Sequence, residues 1–330
     1  MTQSGGELAV EAVENSPRNS GVLSNTDSTL PKQPGNNGGR KRFAFLCSLP
    51  AAILMFIFIV LPTIQVFQMS VFKWGGYSPD KTFVGLNNFK ILFEDMKFIE
   101  AFQNTVLLLV VVTSVTLPTA VIFAAILVQV KVLGSGFIRF ILYLPSILSM
   151  VIIAAMFSAI YSENDGLLNS VLQVIGLGNL TQSWLGNQSI VIYSVAFAML
   201  WQSCGYYMVM YMSAMAGVDS SIYEAARIDG ASRIRQLFVI TIPLIWSNIR
   251  TTLTFFIISS INLSFVIVRA MTGGGPDGSS EVLLGYLYNQ AFDNSQFGYG
   301  MAIGVVTFTF SFALSLIVSR VTKREVIQYG

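Results

Sequence analysis

Residues Glu224–Pro243 read EAARIDGASRIRQLFVITIP, a charged patch set between two strongly apolar tracts. Ser221, three residues before Glu224, makes a capping-box pattern and predicts a short helix from Ile222. Gly230 is placed to end that helix, because glycine accepts the left-handed backbone that a helix C-terminus often requires. Ser232 can cap a second helix running to Pro243, where the next apolar tract begins. Ala225 and Ala226 leave a face almost free of side chains, so the backbone of another protein can approach it closely. Glu224, Arg227 and Asp229 put charges at its margin. A bare Glu-Ala-Ala tripeptide would be a solvated loop; a small capped helix beside a membrane is a docking element.

Composition supplies the membrane. The 330 residues are 53% hydrophobic and 11% charged, whereas soluble domains carry about 25% charged residues. This is the composition of a polytopic membrane protein. Histidine is absent, which removes imidazole bases and His-containing metal sites. Cys47 and Cys204 both lie in apolar tracts and read as inert buried thiols rather than a disulfide or metal pair. Leu46, directly before Cys47, does not suit a lipoprotein cleavage site. A net charge of +2 is too small to indicate nucleic acid as a partner.

Residues 1–39 are rich in Ser, Asn, Gly and Pro and cannot bury enough apolar surface to offset their ordering entropy, so a disordered cytoplasmic tail is expected. Arg40-Lys41-Arg42 then abut an uncharged run from Phe43 to Phe72, longer than the roughly 20 residues a bilayer core requires. It lacks the short core and small-residue cleavage site of a signal peptide and reads as a retained first transmembrane helix. Residues 73–100, mixed in charge, read as an external loop. Long apolar spans follow at 103–129, 140–161, 189–216, 244–268 and 297–319, giving six transmembrane helices. Pro118 and Pro145 fall in or near them, where kinks are tolerated. Gly176-Leu177-Gly178-Asn179 and the polar run to Gln188 argue against a further span between Asp165 and Asp219.

Charge asymmetry orients this arrangement. With the N-terminus inside, fourteen of the 19 Lys and Arg residues fall on the cytoplasmic side, as the positive-inside rule expects. Glu224–Pro243 then lies in the cytoplasm. The stretch resembles the EAA loop of ABC importer permeases: Glu-Ala-Ala, three residues, Gly230, nine residues, Ile240, one residue, then Leu-Pro. One position departs from that pattern, with Ile242 before Pro243 where the family usually has Leu. The resemblance covers about residues 43–324. It implies that Glu224, Ala225, Ala226, Asp229, Gly230, Ile240 and Pro243 couple the membrane domain to an ATPase subunit, the helix sitting in a cleft of that subunit.

After the fifth span come Met271-Thr272-Gly273-Gly274-Gly275-Pro276, then Leu287-Tyr288, Ala291-Phe292 and Gly298-Tyr299-Gly300. These residues resemble the TGGGP…Y…AF…GY pattern of sugar permeases in the maltose and multiple-sugar group. Read without the resemblance, the glycine run is a flexible external turn. It is not a phosphate-binding loop, because no Gly-Lys-Ser/Thr follows, and no Walker A sequence occurs anywhere in the chain.

No Asp, Glu, Lys or Arg falls in the middle of a predicted span, which argues against a proton-coupled transporter and an intramembrane hydrolase. The polar residues there are neutral: Gln202, Ser203, Thr254, Asn262 and Ser264, with Trp201, Tyr206 and Tyr207 nearby. Amides and hydroxyls beside aromatic faces suit an uncharged, polyhydroxylated solute, and Trp201, Gln202, Tyr206 and Asn262 are the candidate substrate-path residues. The competing reading makes them interhelical hydrogen bonds, worth about 0.6 kcal/mol each on average. Gly300 and Gly304 are a small-xxx-small pair suited to helix packing.

The expected fold is therefore all-α, a polytopic integral membrane protein with the type I ABC importer permease fold. Its expected parts are the tail 1–39, a permease domain 40–324 with its coupling loop at 217–243, and a cytoplasmic C-terminal tail 325–330. The resemblance implies a multi-pass subunit of the cell (inner) membrane, not itself an enzyme, working with a second permease subunit and two ATPase subunits that bind ATP and Mg. An extracytoplasmic sugar-binding protein would deliver the sugar; no metal or nucleic acid is implied. The alternatives are an ABC permease for another small solute, and a membrane scaffold or sensor that uses the loop to recruit a cytoplasmic partner.

Overall fold

Side chains of Ser149, Asp219 and Ser232 cap the starts of three of the helices. The computed structural model describes residues 37–77, 79–129 and 134–323. The expected N-terminal tail lies outside the described residues as far as residue 36, and the expected tail 325–330 lies wholly outside them. Helix α1 (Asn37–Met55) begins before the basic triplet and belongs to a unit that ends at Phe58. Residues from Ile59 onward form a second unit.

In that second unit, α2 (Leu61–Met69) leads into a small antiparallel ribbon, β1 (Phe72–Lys73) and β2 (Thr82–Phe83), with Phe72 opposite Phe83. The following α3 (Asn87–Glu94) is tied to the ribbon by the Asn88 amide, which donates to the carbonyls of Ser70 at 2.7 Å and Phe72 at 3.0 Å. Helix α4 (Met96–Gln129) then runs for 34 residues, starting seven residues before the expected span.

The span expected at 140–161 is not one helix. It is α5 (Ser135–Ile147) and α6 (Met150–Ile160), bent by 101°. Leu148 and Ser149 are extended, and the Ser149 hydroxyl restarts the helix by accepting the Ile152 N–H at 3.4 Å. Hydropathy could not show this, since apolar length carries no direction. Between α6 and the next long helix lie α7 (Leu167–Val174), eight residues, and a 3-10 turn, Gly178–Leu180, both too short to span, as expected. Asn169 knits this region: its amide donates to the carbonyls of Glu163 and Gln182, both at 3.1 Å, and its oxygen accepts the Trp184 indole N–H at 2.8 Å.

Next come α8 (Val191–Ala216), α9 (Ser220–Ile228) and α10 (Arg233–Gln236). A π-helical turn, Leu237–Thr241, joins α10 to α11 (Ile242–Leu244). Pro243 has no N–H to give to the carbonyl four residues back, and the wider turn before it absorbs the mismatch. Helix α12 (Trp246–Met271), the short α13 (Leu283–Tyr288) and α14 (Phe297–Val321) complete the chain.

By length and apolar content, Lys41–Met69, Met96–Gln129, Trp246–Met271 and Phe297–Val321 can each cross a bilayer, and the bent pair α5–α6 makes a fifth candidate. Helix α8 has 26 residues and no charge, so it is long enough to be the sixth. Its apolar character is diluted by Gln202, Ser203 and four tyrosines. That dilution reflects its central position. Helix α8 packs along α4, is crossed by α5, and also meets α12 and α6. Its Met199, Met208 and Tyr211 join Val112 of α4 and Phe256 of α12 in the core, all essentially fully buried. The crossing of α5 over α8 turns on Gly205: a Cβ there would lie 2.0 Å from the Leu142 carbonyl oxygen.

At the other end of the bundle from α9, the glycine run Gly273–Gly275 is no free turn. The Thr272 and Ser280 hydroxyls meet at 2.8 Å, and Ser280 donates to the Gly275 carbonyl at 2.6 Å. Asn104 of α4 donates to the carbonyls of Gly278 and Glu281, while the Thr105 hydroxyl accepts the Leu283 N–H at 2.9 Å. Asp95, just before α4, accepts hydrogen bonds from Tyr286 of α13 and Tyr299 of α14. Burial acts to raise the pKa of the Asp95 carboxyl, but those two bonds and the backbone N–H groups of Lys97 and Phe98 outweigh it and hold the group below its ordinary value. Gly300 packs against Ala291 beside α13, the packing role expected of the small-residue pair.

Candidate functional site

Two features stand apart from ordinary packing: the surface helix α9 and a cavity between α5, α8 and α12. Helix α9 starts earlier than the sequence suggested. Asp219, not Ser221, is its cap, its carboxylate accepting the Ser221 N–H at 2.9 Å. Those backbone and hydroxyl contacts with Ser221 hold the Asp219 carboxyl below its usual range. Gly230 ends the helix as expected, at φ +74°, and the Ala231 N–H reaches back to the Ala226 carbonyl at 2.9 Å. Ser232 caps α10 by accepting the Arg235 N–H at 3.3 Å.

Helical phase then sorts the coupling residues. Ser221, Glu224, Ala225 and Ile228 are exposed and share one face, at spacings of three and four residues. Ala226 is a correction to the sequence reading: it is buried on the opposite face with the half-buried Tyr223, three residues away. The bare outward face is therefore Ala225 flanked by Glu224 and by Ile228, which is 87% exposed. Ile234 of α10, 72% exposed, extends the apolar surface. Asp229 is exposed at the end of α9, Ile240 is half-buried in the π turn, and Pro243 is exposed. The Glu224–Arg227 ion pair, 3.9 Å apart with both side chains mostly exposed, adds little stability.

The cavity has a volume of about 530 Å³, within the usual range for ligand sites. It is lined by Ser146 of α5, by Gln202, Ser203, Tyr206, Tyr207 and Met210 of α8, and by Thr252, Phe255, Phe256, Ser259 and Leu263 of α12. None of these carries a formal charge. Tyr207 packs edge-on to Phe256 at 4.8 Å and to Tyr206 at 5.2 Å, so three rings from two helices form one aromatic corner. Ser203 donates to the Gln202 amide oxygen at 3.0 Å, which fixes the amide's orientation. At the cavity floor, Thr252 donates to carbonyls of its own helix and therefore accepts from the Tyr211 hydroxyl at 2.7 Å.

Of the four expected substrate-path residues, the structure brings Gln202 and Tyr206 to this cavity. Trp201 is elsewhere: it packs edge-on against Phe157 of α6 at 5.5 Å, as part of the core. Asn262 is exposed, on the flank of the stripe formed by Phe255, Ser259 and Leu263 at intervals of four. Sequence reasoning missed Ser146 and Ser259. Their signal was weak, because a lone serine in an apolar helix usually bonds its own backbone. Both do that here, Ser146 donating to the Tyr143 carbonyl and Ser259 to that of Phe256, as Thr254 and Ser264 do to their own helix. The two cavity serines therefore keep only their oxygen lone pairs for a solute.

Long apolar helices around a cavity lined without a charged residue, with a capped helix presented at one end, are the build of a membrane permease. Residues 117–325 match the family described as binding-protein-dependent transport system inner membrane components, and the chain belongs to that family. It is 37% identical to the probable ABC transporter permease protein YurN of Bacillus subtilis, over 84% of this chain and 94% of that one. It is 35% identical to the diacetylchitobiose uptake system permease protein NgcF of Streptomyces coelicolor, over 88% of each. One solved chain, from a bacterial ABC transporter involved in the import of the acidic polysaccharide alginate, superposes with a TM-score of 0.76 at 23% identity, covering 87% of this chain and 96% of that one. The fold is thus that of an ABC importer permease, and the chain is an inner-membrane transport subunit.

Proposed function

We propose that the chain is the permease subunit of an ATP-driven importer for an uncharged sugar or short oligosaccharide. The observation that carries the substrate class is the cavity. Serine hydroxyls and the Gln202 amide offer hydrogen bonds, aromatic faces offer apolar contact, and no charge is present to attract an ion or repel a neutral solute. The diacetylchitobiose uptake permease among its relatives supports a saccharide cargo.

In this reading a second permease subunit completes the pathway, two ATPase subunits bind ATP and Mg, and an extracytoplasmic binding protein delivers the sugar. The outward face of α9, centred on Ala225 and Ile228, lies in a cleft of one ATPase subunit. The distribution of Lys and Arg supports placing α9 and both termini in the cytoplasm and α13 on the outer side. Closure of the ATPase pair moves α9, the spans rock, and the cavity exchanges its access between the two sides.

Uptake by the reconstituted complex tests the cavity directly. Gln202→Ala and Tyr206→Ala are each expected to raise the half-saturating sugar concentration roughly three- to tenfold, the loss of about one hydrogen bond or one ring contact. ATPase subunits should still co-purify with both variants. Unchanged sugar dependence in both would remove the cavity from the pathway.

A further inference from the structure

The inner face of α9 holds a contact that docking alone does not require. The Tyr223 hydroxyl lies 3.1 Å from the Thr241 hydroxyl, in the π turn 18 residues further on. Thr241 is fully buried. Its oxygen also donates to the Gln236 carbonyl at 3.3 Å and accepts the side-chain amide of Gln129, the last residue of α4, at 3.3 Å. A hydroxyl has one proton and two lone pairs. With its proton on Gln236, Thr241 accepts from both Gln129 and Tyr223, which makes the tyrosine a donor and fills every position on the oxygen.

Three elements far apart in sequence therefore meet on one atom: α9, the π turn before Pro243, and the end of α4. Helix α4 is the one that packs along α8, whose residues line the cavity. The connecting chain between α9 and α12 contains a π turn, a local irregularity able to change its winding. Covalent connection alone would let α9 move while that turn adjusted. The hydrogen bond to Gln129 bypasses it.

We propose that Thr241 is a positioning residue that makes α9 and α4 move as one body, so that displacement of the docking helix reaches the cavity wall through Tyr223–Thr241–Gln129. This rests on the reading of α9 as the ATPase-docking helix.

The test uses the full importer complex with spin labels at Ser220→Cys, at the start of α9 and off the Ala225–Ile228 face, and at Ile122→Cys on α4, both exposed positions, in a background with Cys47 and Cys204 replaced by serine. Pulsed electron–electron distances are read without nucleotide and with MgATP plus vanadate. In the otherwise unaltered chain the distribution should be narrow and unmoved by nucleotide. In Thr241→Val it should shift and broaden with nucleotide, and Thr241→Ser should restore the narrow, unmoved form. Tyr223→Phe, a change at a half-buried position that leaves the threonine in place, should respond as Thr241→Val does. That variant decides the matter if the valine chain does not fold.

Variants that stay as narrow and unmoved as the parent overturn the proposal, as does a parent distance that itself shifts with nucleotide. Co-purification separates the two layers of the argument. ATPase absent from the parent complex defeats the docking reading and this proposal with it; ATPase present but distances insensitive to Thr241 defeats only this one.

Discussion

Deletion of Glu224–Gly230 is expected to reduce sugar uptake to background while the chain remains inserted in the membrane. The removed segment is mostly exposed: Glu224, Ala225, Arg227, Ile228, Asp229 and Gly230 all face outward, and only Ala226 is buried. The bundle around α4, α8 and α12 has its core elsewhere, so removing this segment leaves its main packing in place. What the deletion removes is the surface centred on Ala225 and Ile228, together with the positive-φ glycine that ends α9. Hydrolysis of ATP by the partner subunits should then no longer drive transport. Membrane fractionation and uptake, measured on the same cells, check both halves. Normal uptake by the deleted chain would end the case for docking through α9.

The second large effect is expected at Gly205. An alanine Cβ there would lie 2.0 Å from the Leu142 oxygen and 2.8 Å from both the Leu142 carbonyl carbon and the Tyr143 Cα. These are backbone atoms and cannot rotate aside, so α5 must move off α8. Overpacking of this kind costs about 1–3 kcal/mol and occasionally more. Because α5 brings Ser146 to the cavity, the displacement should reduce transport as well as stability. Gly205→Ala is expected to lower the melting temperature in detergent, and Gly205→Val to leave little folded protein. Gly217, at the end of the same helix, is the control: its Cβ would meet only the Ala214 oxygen, at an ordinary 3.5 Å. Gly217→Ala should be close to neutral. Equal stability of Gly205→Ala and Gly217→Ala would contradict the packing described here.

Much of this molecule could be read before its structure was described. The charge-free tracts announced helices long enough to cross a bilayer. The spacing from Glu224 to Pro243 announced a capped helix followed by a second helix, and Gly230 and Ser232 occupy the backbone roles assigned to them. Those features are local, set by composition and by the geometry of a few residues.

What escaped the sequence was direction. The run 140–161 is uniformly apolar, and nothing in its hydropathy marks the 101° bend that two extended residues introduce. Ala225 and Ala226 are identical neighbours, yet about 100° of helical rotation leaves one exposed and the other buried. Trp201 and Asn262 were singled out for their chemistry, but rotation about α8 turns Trp201 toward α6, and Asn262 sits exposed at the flank of the lining stripe on α12. The glycine run after α12 looked free because glycine is permissive; the restraint comes from Asn104 and Thr105, about 170 residues earlier in the chain. Long-range partners of this kind leave no trace in local pattern.

The central claim is that the outward face of α9 docks on an ATPase subunit. It is tested most directly by placing a photo-activated cross-linker at Ala225 or Ile228 of the full chain in native membranes and identifying the adduct. The account predicts one dominant adduct, with an ATP-binding subunit, formed from both positions and lost when the partner is stripped away. An adduct only with proteins that bind no nucleotide, or none from either position while the chain is intact in the membrane, would contradict it.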